Sequence, residues 1–312
     1  MNEQHAPLLS VDRLSISFRM YDRGMRQRDL EVISDLAVTV NAGEVLAVIG
    51  SSGSGKSLLA HAVLGLLPSN ATVRGNMRYK GEPLNAAKQK KLRGRHIALI
   101  PQSVTYLDPL MPVGEQARGA DKRPARAKQQ RNAFRRLELA PDTERLYPFQ
   151  LSGGMVRRVL FSTAIITDAD LIIADEPTPG MHIDQALEAL AILRELANAG
   201  KGVLLITHDI DLAVRFADKI SVFYAGTTVE EAPAADFIEG PHALRHPYSQ
   251  ALWRALPQNE FSFVDGFQPY VGELPPGCLF APRCLLKTAA CEEENPPIQA
   301  LRGGLVRCIH AT

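Results

Sequence analysis

Cysteine is missing from the first 277 residues, the chain has a single tryptophan, and aromatics make up only 6% of its 312 residues. No apolar run approaches the roughly 20 residues needed to cross a bilayer, and the opening Met1 to His5 contains no apolar signal core. Charge excess is missing as well: the net charge is +1, which argues against broad electrostatic binding of nucleic acid or of an anionic membrane. These absences exclude a membrane span and a disulfide-framed secreted body. They lead us to expect a cytoplasmic protein whose membrane role, if it has one, comes through a partner. What remains is 46% hydrophobic and 22% charged, enough for one large α/β domain with an extension or for two domains.

The most informative stretch is Gly50-Ser51-Ser52-Gly53-Ser54-Gly55-Lys56-Ser57, which fits the phosphate-binding pattern of Gly, four free positions, Gly, Lys and Ser/Thr. Its context fits too, with Val45 to Ile49 reading as a buried strand and Leu58 to Leu67 as a helix. Glycines allow a tight turn that aims several N–H groups at one anion, at a helix N-terminus whose dipole favours negative charge. Lys56 can reach the outer phosphates of a nucleotide, and the Ser57 hydroxyl can ligate Mg²⁺. A glycine-rich turn without a ligand is the competing reading, and the full strand–loop–helix match makes it the weaker one.

Around this loop the chain reads as alternating strand and helix. Residues 8–18 and 31–40 alternate as half-buried strands, with a polar surface loop expected from Arg19 to Asp29. Phe18, with Tyr21 as substitute, is placed to stack on an adenine ring, although a core aromatic would look the same. Residues 73–80 and 96–100 read as strands, and Gln102 just beyond the second can offer its carboxamide to Mg²⁺ or to an attacking water. Residues 117–137 read as a strongly basic helix. The balanced overall charge favours a solvated face over nucleic-acid binding. Leu151-Ser152-Gly153-Gly154-Met155 then opens a helix and forms a second anion site of the same physical kind. Leu171 to Ala174 is a buried strand ending in Asp175 and Glu176, at the sheet edge where α/β folds bind ligands. Asp175 suits Mg²⁺ and Glu176 suits general-base activation of water. Residues 183–198 read as a helix with Asp184 as its N-cap, and 203–207 as a strand followed at once by His208, a candidate γ-phosphate contact.

The order of these motifs (phosphate loop, glutamine loop, Leu-Ser-Gly-Gly-Met, Leu-Ile-Ile-Ala-Asp-Glu-Pro-Thr, Ile-Thr-His-Asp) resembles the ATP-binding cassette (ABC) ATPases. The resemblance covers roughly residues 8–234. It implies an α/β, phosphate-loop (RecA-like) nucleotide-binding domain over residues 1–234, with a helical signature subdomain at about 103–167. It also implies two subunits that sandwich two ATP molecules. Lys56, Ser57, Gln102, Asp175, Glu176 and His208 would then serve this chain's ATP, and Ser152, Gly153 and Gly154 the partner's. His246 to Leu252 and Gly277 to Cys284 resemble the C-terminal extension, residues 235–312, of oligopeptide, dipeptide and nickel importers. Met155 resembles the signature of the first of two ATPase subunits. The resemblance therefore implies a heterodimer on the cytoplasmic face of the membrane, two permeases contacted near Gln102 to Pro112, and an extracytoplasmic substrate-binding protein. There are two departures: His182 stands where the family usually has aspartate, and the basic helical subdomain looks short. The first keeps open a regulatory subunit of low turnover. A soluble ABC ATPase acting on nucleic acid or ribosomes is the other alternative, but this chain has neither the second cassette nor the coiled-coil insertion usual there.

Cys278, Cys284, Cys291 and Cys308 are spaced as neither a zinc ribbon nor a ferredoxin run. Four thiolates can hold a [4Fe–4S] cluster, which the resemblance to dipeptide importers also suggests. A structural zinc and four reduced, buried thiols are the alternatives.

Overall fold

The strand pattern runs further than the apolar residues do. In the computed structural model, which describes residues 6–21, 24–51 and 53–311, β1 (Leu9–Tyr21) and β2 (Gln27–Val40) form an antiparallel hairpin. The expected Arg19–Asp29 loop is therefore mostly ladder, with Arg19 opposite Asp29 and Tyr21 opposite Gln27. Backbone pairing, once started by the apolar half of a hairpin, needs no apolar side chains to continue. The buried residues Leu9, Val11, Leu14 and Ile16 include one step of three, as do Ile33, Leu36, Val38 and Val40. Register shifts fall at these steps, and Arg13 and Asp35 take left-handed conformations with φ of 48° and 49°. The irregularity restores the inward face after the skipped residue.

After β3 (Val45–Gly50) and α1 (Lys56–Leu64), β4 (Ala71–Tyr79) pairs with the free side of β1, and β5 (Glu82–Pro83) completes a four-stranded sheet. α2 (Ala86–Leu92) leads to the remaining strands: β6 (Ile97–Ile100), β7 (Leu171–Asp175), β8 (Gly202–Ile206), β9 (Lys219–Tyr224), β10 (Thr227–Pro233), β11 (Gln299–Leu301) and β12 (Gly304–Val306). With β3 they form an eight-stranded sheet in the order β11-β12-β10-β9-β3-β8-β7-β6. The five strands from β9 to β6 are parallel, and β10, β12 and β11 are antiparallel additions. β3, β7 and β8 are buried throughout, as near-continuous apolar runs require. Leu46, Val48, Ile173, Leu204 and Ile206 face the antiparallel sheet and α1. Val45, Ile172, Ala174, Val203 and Leu205 face α5 (Gly153–Ile165) and α6 (Ile183–Asn198).

The basic stretch expected as one helix is two, α3 (Val113–Arg118) and α4 (Pro124–Arg136). Gly119 (φ 65°) ends the first, and Pro124, which lacks an N–H, starts the second. α4 buries Gln130, Ala133 and Phe134 and leaves most of its cations exposed, the solvated face the composition favoured. The N-cap of α6 is His182 and not Asp184, because the helix begins at Ile183, two residues before the start that a cap at Asp184 implies; the His182 Nδ1 lies 3.6 Å from the Asp184 carboxylate.

α7 (Ile210–Phe216), α8 (Ala234–Glu239) and α9 (Pro247–Arg254) follow β8, β10 and a short loop. The segment after residue 234 packs on the same sheet. Leu244, Tyr248, Leu279 and Phe280 share a core cluster with Ala47, Ile49 and Val222, and β12 pairs with β10. Among the described residues no helix is long and apolar enough to cross a membrane.

Candidate nucleotide site

The five parallel strands point their carboxyl ends at one edge, and the loops leaving β3, β6, β7 and β8 meet there. They enclose a cavity of about 380 Å³ lined by Val32, Gly53, Gly55, Lys56, Ser57, Leu58, Gln102, Glu176 and His208.

Gly50 (φ +151°) lies so close to β9 that a Cβ would sit 2.3 Å from the Phe223 carbonyl oxygen, and a Cβ on Gly55 would sit 2.9 Å from Ile33. Glycine is therefore required where the loop leaves its strand and where it enters α1. No side chain caps α1, and Gly55 is its N-cap. Its first N–H groups are left for an anion. Among the described residues the Ser54 hydroxyl is buried without a hydrogen-bond partner, close behind Gly50. Ser52 lies outside the described residues. The Lys56 ammonium donates to the carbonyls of Gly50 (2.8 Å) and Ser51 (3.0 Å). Burial lowers its pKa, opposed by the charges of Glu176 and Asp175.

The Ser57 hydroxyl donates to Asp175 Oδ1 at 3.0 Å. Burial pushes the Asp175 carboxyl up, with the Ser57 hydrogen bond and the charge of His61 opposing it. A hydroxyl and a buried carboxylate at this separation form a hard oxygen donor pair that suits Mg²⁺. Glu176 is buried with φ of 46°, an uncommon conformation for a non-glycine residue, and its N–H donates to the Ile206 carbonyl of β8 at 2.9 Å. The exposed His208 reaches it, with Nδ1 2.8 Å from Glu176 Oε2.

Sequence reasoning missed Arg157. This buried α5 side chain donates through one nitrogen to the carbonyls of Pro101 (3.2 Å), Gln102 (2.5 Å) and, at 3.5 Å, Glu176. Burial lowers its pKa, with Glu176 opposing. An arginine three and four residues before the buried Leu160 and Phe161, and so on their helix face, was the available signal. Val32 and Leu58, which supply apolar lining, were missed too.

Phe18 does not line the cavity. It packs half-buried against the core beneath β1, and Tyr21 is exposed, while Val32 and Leu58 supply the apolar lining of the cavity. Ser152 and Gly153 are exposed at the start of α5, where the Ser152 hydroxyl accepts the Met155 N–H at 3.3 Å, and none of Ser152, Gly153 and Gly154 lines the cavity.

The four cysteines are free thiols; Cys291 and Cys308 are buried, while Cys278 and Cys284 are half-buried. Burial raises the pKa of Cys278, Cys284 and Cys308, against backbone N–H groups of Phe280 and Ala281, Leu286 and His310 respectively. The Cys278 N–H donates to the Cys291 carbonyl at 2.8 Å, and His310 Nε2 lies 3.4 Å from Cys291 Sγ. Among the described residues no group of three or more His, Cys, Asp or Glu side chains is arranged to hold a metal ion. The expected cluster thus finds thiols with N–H donors but no assembled ligand set.

Comparison with known proteins gives two family matches, "ABC transporter" over residues 33–179 and "Oligopeptide/dipeptide transporter, C-terminal region" over 229–291. The oligopeptide transport ATP-binding protein OppD of Salmonella typhimurium is 34% identical, covering 96% of this chain and 92% of that one. The dipeptide transport ATP-binding protein DppD of Escherichia coli is 34% identical, covering 95% and 94%. A dimeric bacterial ABC transporter cassette superposes with a TM-score of 0.65 at 24% identity, covering 72% of this chain and 98% of that one, a likeness of fold.

Proposed function

Because the chain belongs to the ABC transporter family, in the branch with the oligopeptide/dipeptide C-terminal region, we propose that it is the ATP-hydrolysing subunit of a peptide importer. The observation that carries this reading is the meeting of Lys56, Gln102, Glu176 and His208 on one cavity, with Ser57 and Asp175 in contact beside it. Nickel, the other cargo class implied by the resemblance, is named in neither relative described above.

On this reading the phosphate loop cradles ATP, and Lys56 exchanges its two carbonyl partners for phosphate oxygens. The carboxylate of Glu176 accepts a proton from water as the water attacks the γ-phosphorus, and ADP leaves with phosphate as the other product. His208 holds Glu176 in place from its exposed side and offers its other nitrogen to the γ-phosphate. Gln102 orients the water. Ser57 and Asp175 would hold Mg²⁺, which neutralises charge on the β- and γ-phosphates.

Ser152, Gly153 and Gly154 stand apart from this cavity, which supports their assignment to the ATP of a second subunit. The proposed assembly is a heterodimer on the cytoplasmic face of the membrane, docked on two permeases and fed by a substrate-binding protein. A [4Fe–4S] cluster on Cys278, Cys284, Cys291 and Cys308 belongs to the same proposal, supported by the Cys278 N–H bond to the Cys291 carbonyl and by the His310 N–H, 3.4 Å from the Cys308 thiol. Iron and acid-labile sulfide in anaerobically purified protein support the cluster, and iron-free, colourless protein overturns it.

The test of the ATPase reading is Glu176→Gln in this chain alone, in the assembled transporter. Loss of the general base is expected to lower turnover by about 10²–10⁴-fold with ATP binding retained. Unchanged turnover would move catalysis to the other subunit's site.

A further inference from the structure

The C-terminal segment touches the phosphate loop from outside the cavity. Ser51, the first residue beyond β3, donates its hydroxyl to Gln268 Oε1. Its carbonyl meanwhile accepts the Lys56 ammonium at 3.0 Å. Ser51 therefore joins the catalytic lysine on one side to the tail on the other. A second tail residue, Tyr248 on the first turn of α9, is buried behind β3 in the same core cluster as Ile49.

Tyr248 is firmly held. Its ring packs against Tyr224 at 4.5 Å and Phe280 at 5.4 Å. Its N–H donates to His246 Nδ1 at 3.0 Å, and the His246 N–H donates to Glu230 at 2.8 Å. Tyr224 ends β9, the strand beside β3 in which Phe223 pairs with Gly50. Strand, aromatic cluster and α9 thus form one support behind the loop. Neither Tyr248 nor Gln268 lines the cavity.

A loop rich in glycine loses backbone freedom when it closes around phosphates, and that ordering opposes binding. Contacts that hold the loop in its bound shape beforehand remove part of the loss. We propose that the C-terminal segment preorganises the phosphate loop, with Gln268 as a positioning residue that acts through Ser51 and the Tyr248 cluster as the support behind β3. The inference rests on reading Gly50 to Ser57 as the ATP loop, and it gives the extension a role in nucleotide affinity.

The test is calorimetric titration of Mg-ATP into the full chain, with the nucleotide-free thermal midpoint measured alongside. Gln268→Leu removes the acceptor and is expected to weaken Kd by about threefold to tenfold, the worth of one hydrogen bond, at an unchanged midpoint. Gln268→Asn keeps a neutral amide acceptor on a shorter stem and is expected to recover part of the binding, which Gln268→Leu does not. Ser51→Ala should show the same loss as Gln268→Leu, and the double variant should lose no more than either, since one contact is removed in all three. Unaltered affinity in Gln268→Leu, or losses that add in the double variant, overturns the inference while leaving the ATPase reading in place. A wild-type chain that binds no Mg-ATP overturns both.

Discussion

Arg157 joins loops that are distant in sequence, through backbone carbonyls at Pro101, Gln102 and Glu176. It holds the proposed base and the proposed water-orienting residue at a common spacing from α5. Arg157→Met keeps the length and the packing but removes the donors. Turnover is expected to fall about tenfold with KM for ATP little changed, because misplacement of reacting groups acts on the chemical step. Steady-state kinetics on the assembled transporter check this, and a rise in KM alone would assign Arg157 to binding instead. Lys56, Asp175, Glu176 and His208 were legible because each follows a buried strand within a residue or two, or sits in a contiguous motif. Arg157 was not, because its partners are main-chain atoms that no residue type announces. Phe18, half-buried against the core, illustrates a related limit: an aromatic at a strand end looks the same in sequence whether it meets core or ligand.

At the scale of one strand, β10 places a carboxylate where burial disfavours its charge. Glu231 lies between Ser221 of β9 and Leu305 of β12. Its pKa is pushed up to about 7, first by burial, with Glu44 adding to the rise and Lys219 opposing it. A raised carboxyl contributes stability in full below its unfolded value, and that contribution is lost as pH rises through about 7. Unfolding free energy should therefore lose on the order of 3 kcal/mol from this group between acid and mildly alkaline pH. Glu231→Gln should flatten that part of the profile and be the more stable form at alkaline pH. Denaturant melts across the range measure this, and an unaltered slope would show the carboxyl to be ionised throughout. Helix limits were legible only in part: Gly119 and Pro124 divide α3 from α4 although basic residues continue across the break.

Across the whole molecule, Arg307 ties the tail to both sheets. Its guanidinium donates to the carbonyls of Thr228 (3.2 Å), Pro296 (3.0 Å) and Asp35 (3.1 Å), and lies 2.8 Å from the Asp35 carboxylate. The side chain is 4% exposed. Arg307→Met strands several buried acceptors and is expected to cost about 2–4 kcal/mol. A lowered urea midpoint for the whole chain is the expected readout; a separate early transition confined to the tail would show that the extension unfolds on its own.

The sequence by itself determined the parallel core and the edge that carries the candidate site. Continuous apolar runs can bury only between layers, and the loops after such strands are where phosphate, cation and base must gather. Tertiary structure decided how the last quarter of the chain is used. Nothing in the order of residues 235–312 says that β12 joins the main sheet, that Arg307 reaches Asp35, or that Gln268 meets Ser51. Those contacts join residues up to 272 positions apart, and they form only when strand pairing brings the two ends of the chain to one edge of the fold.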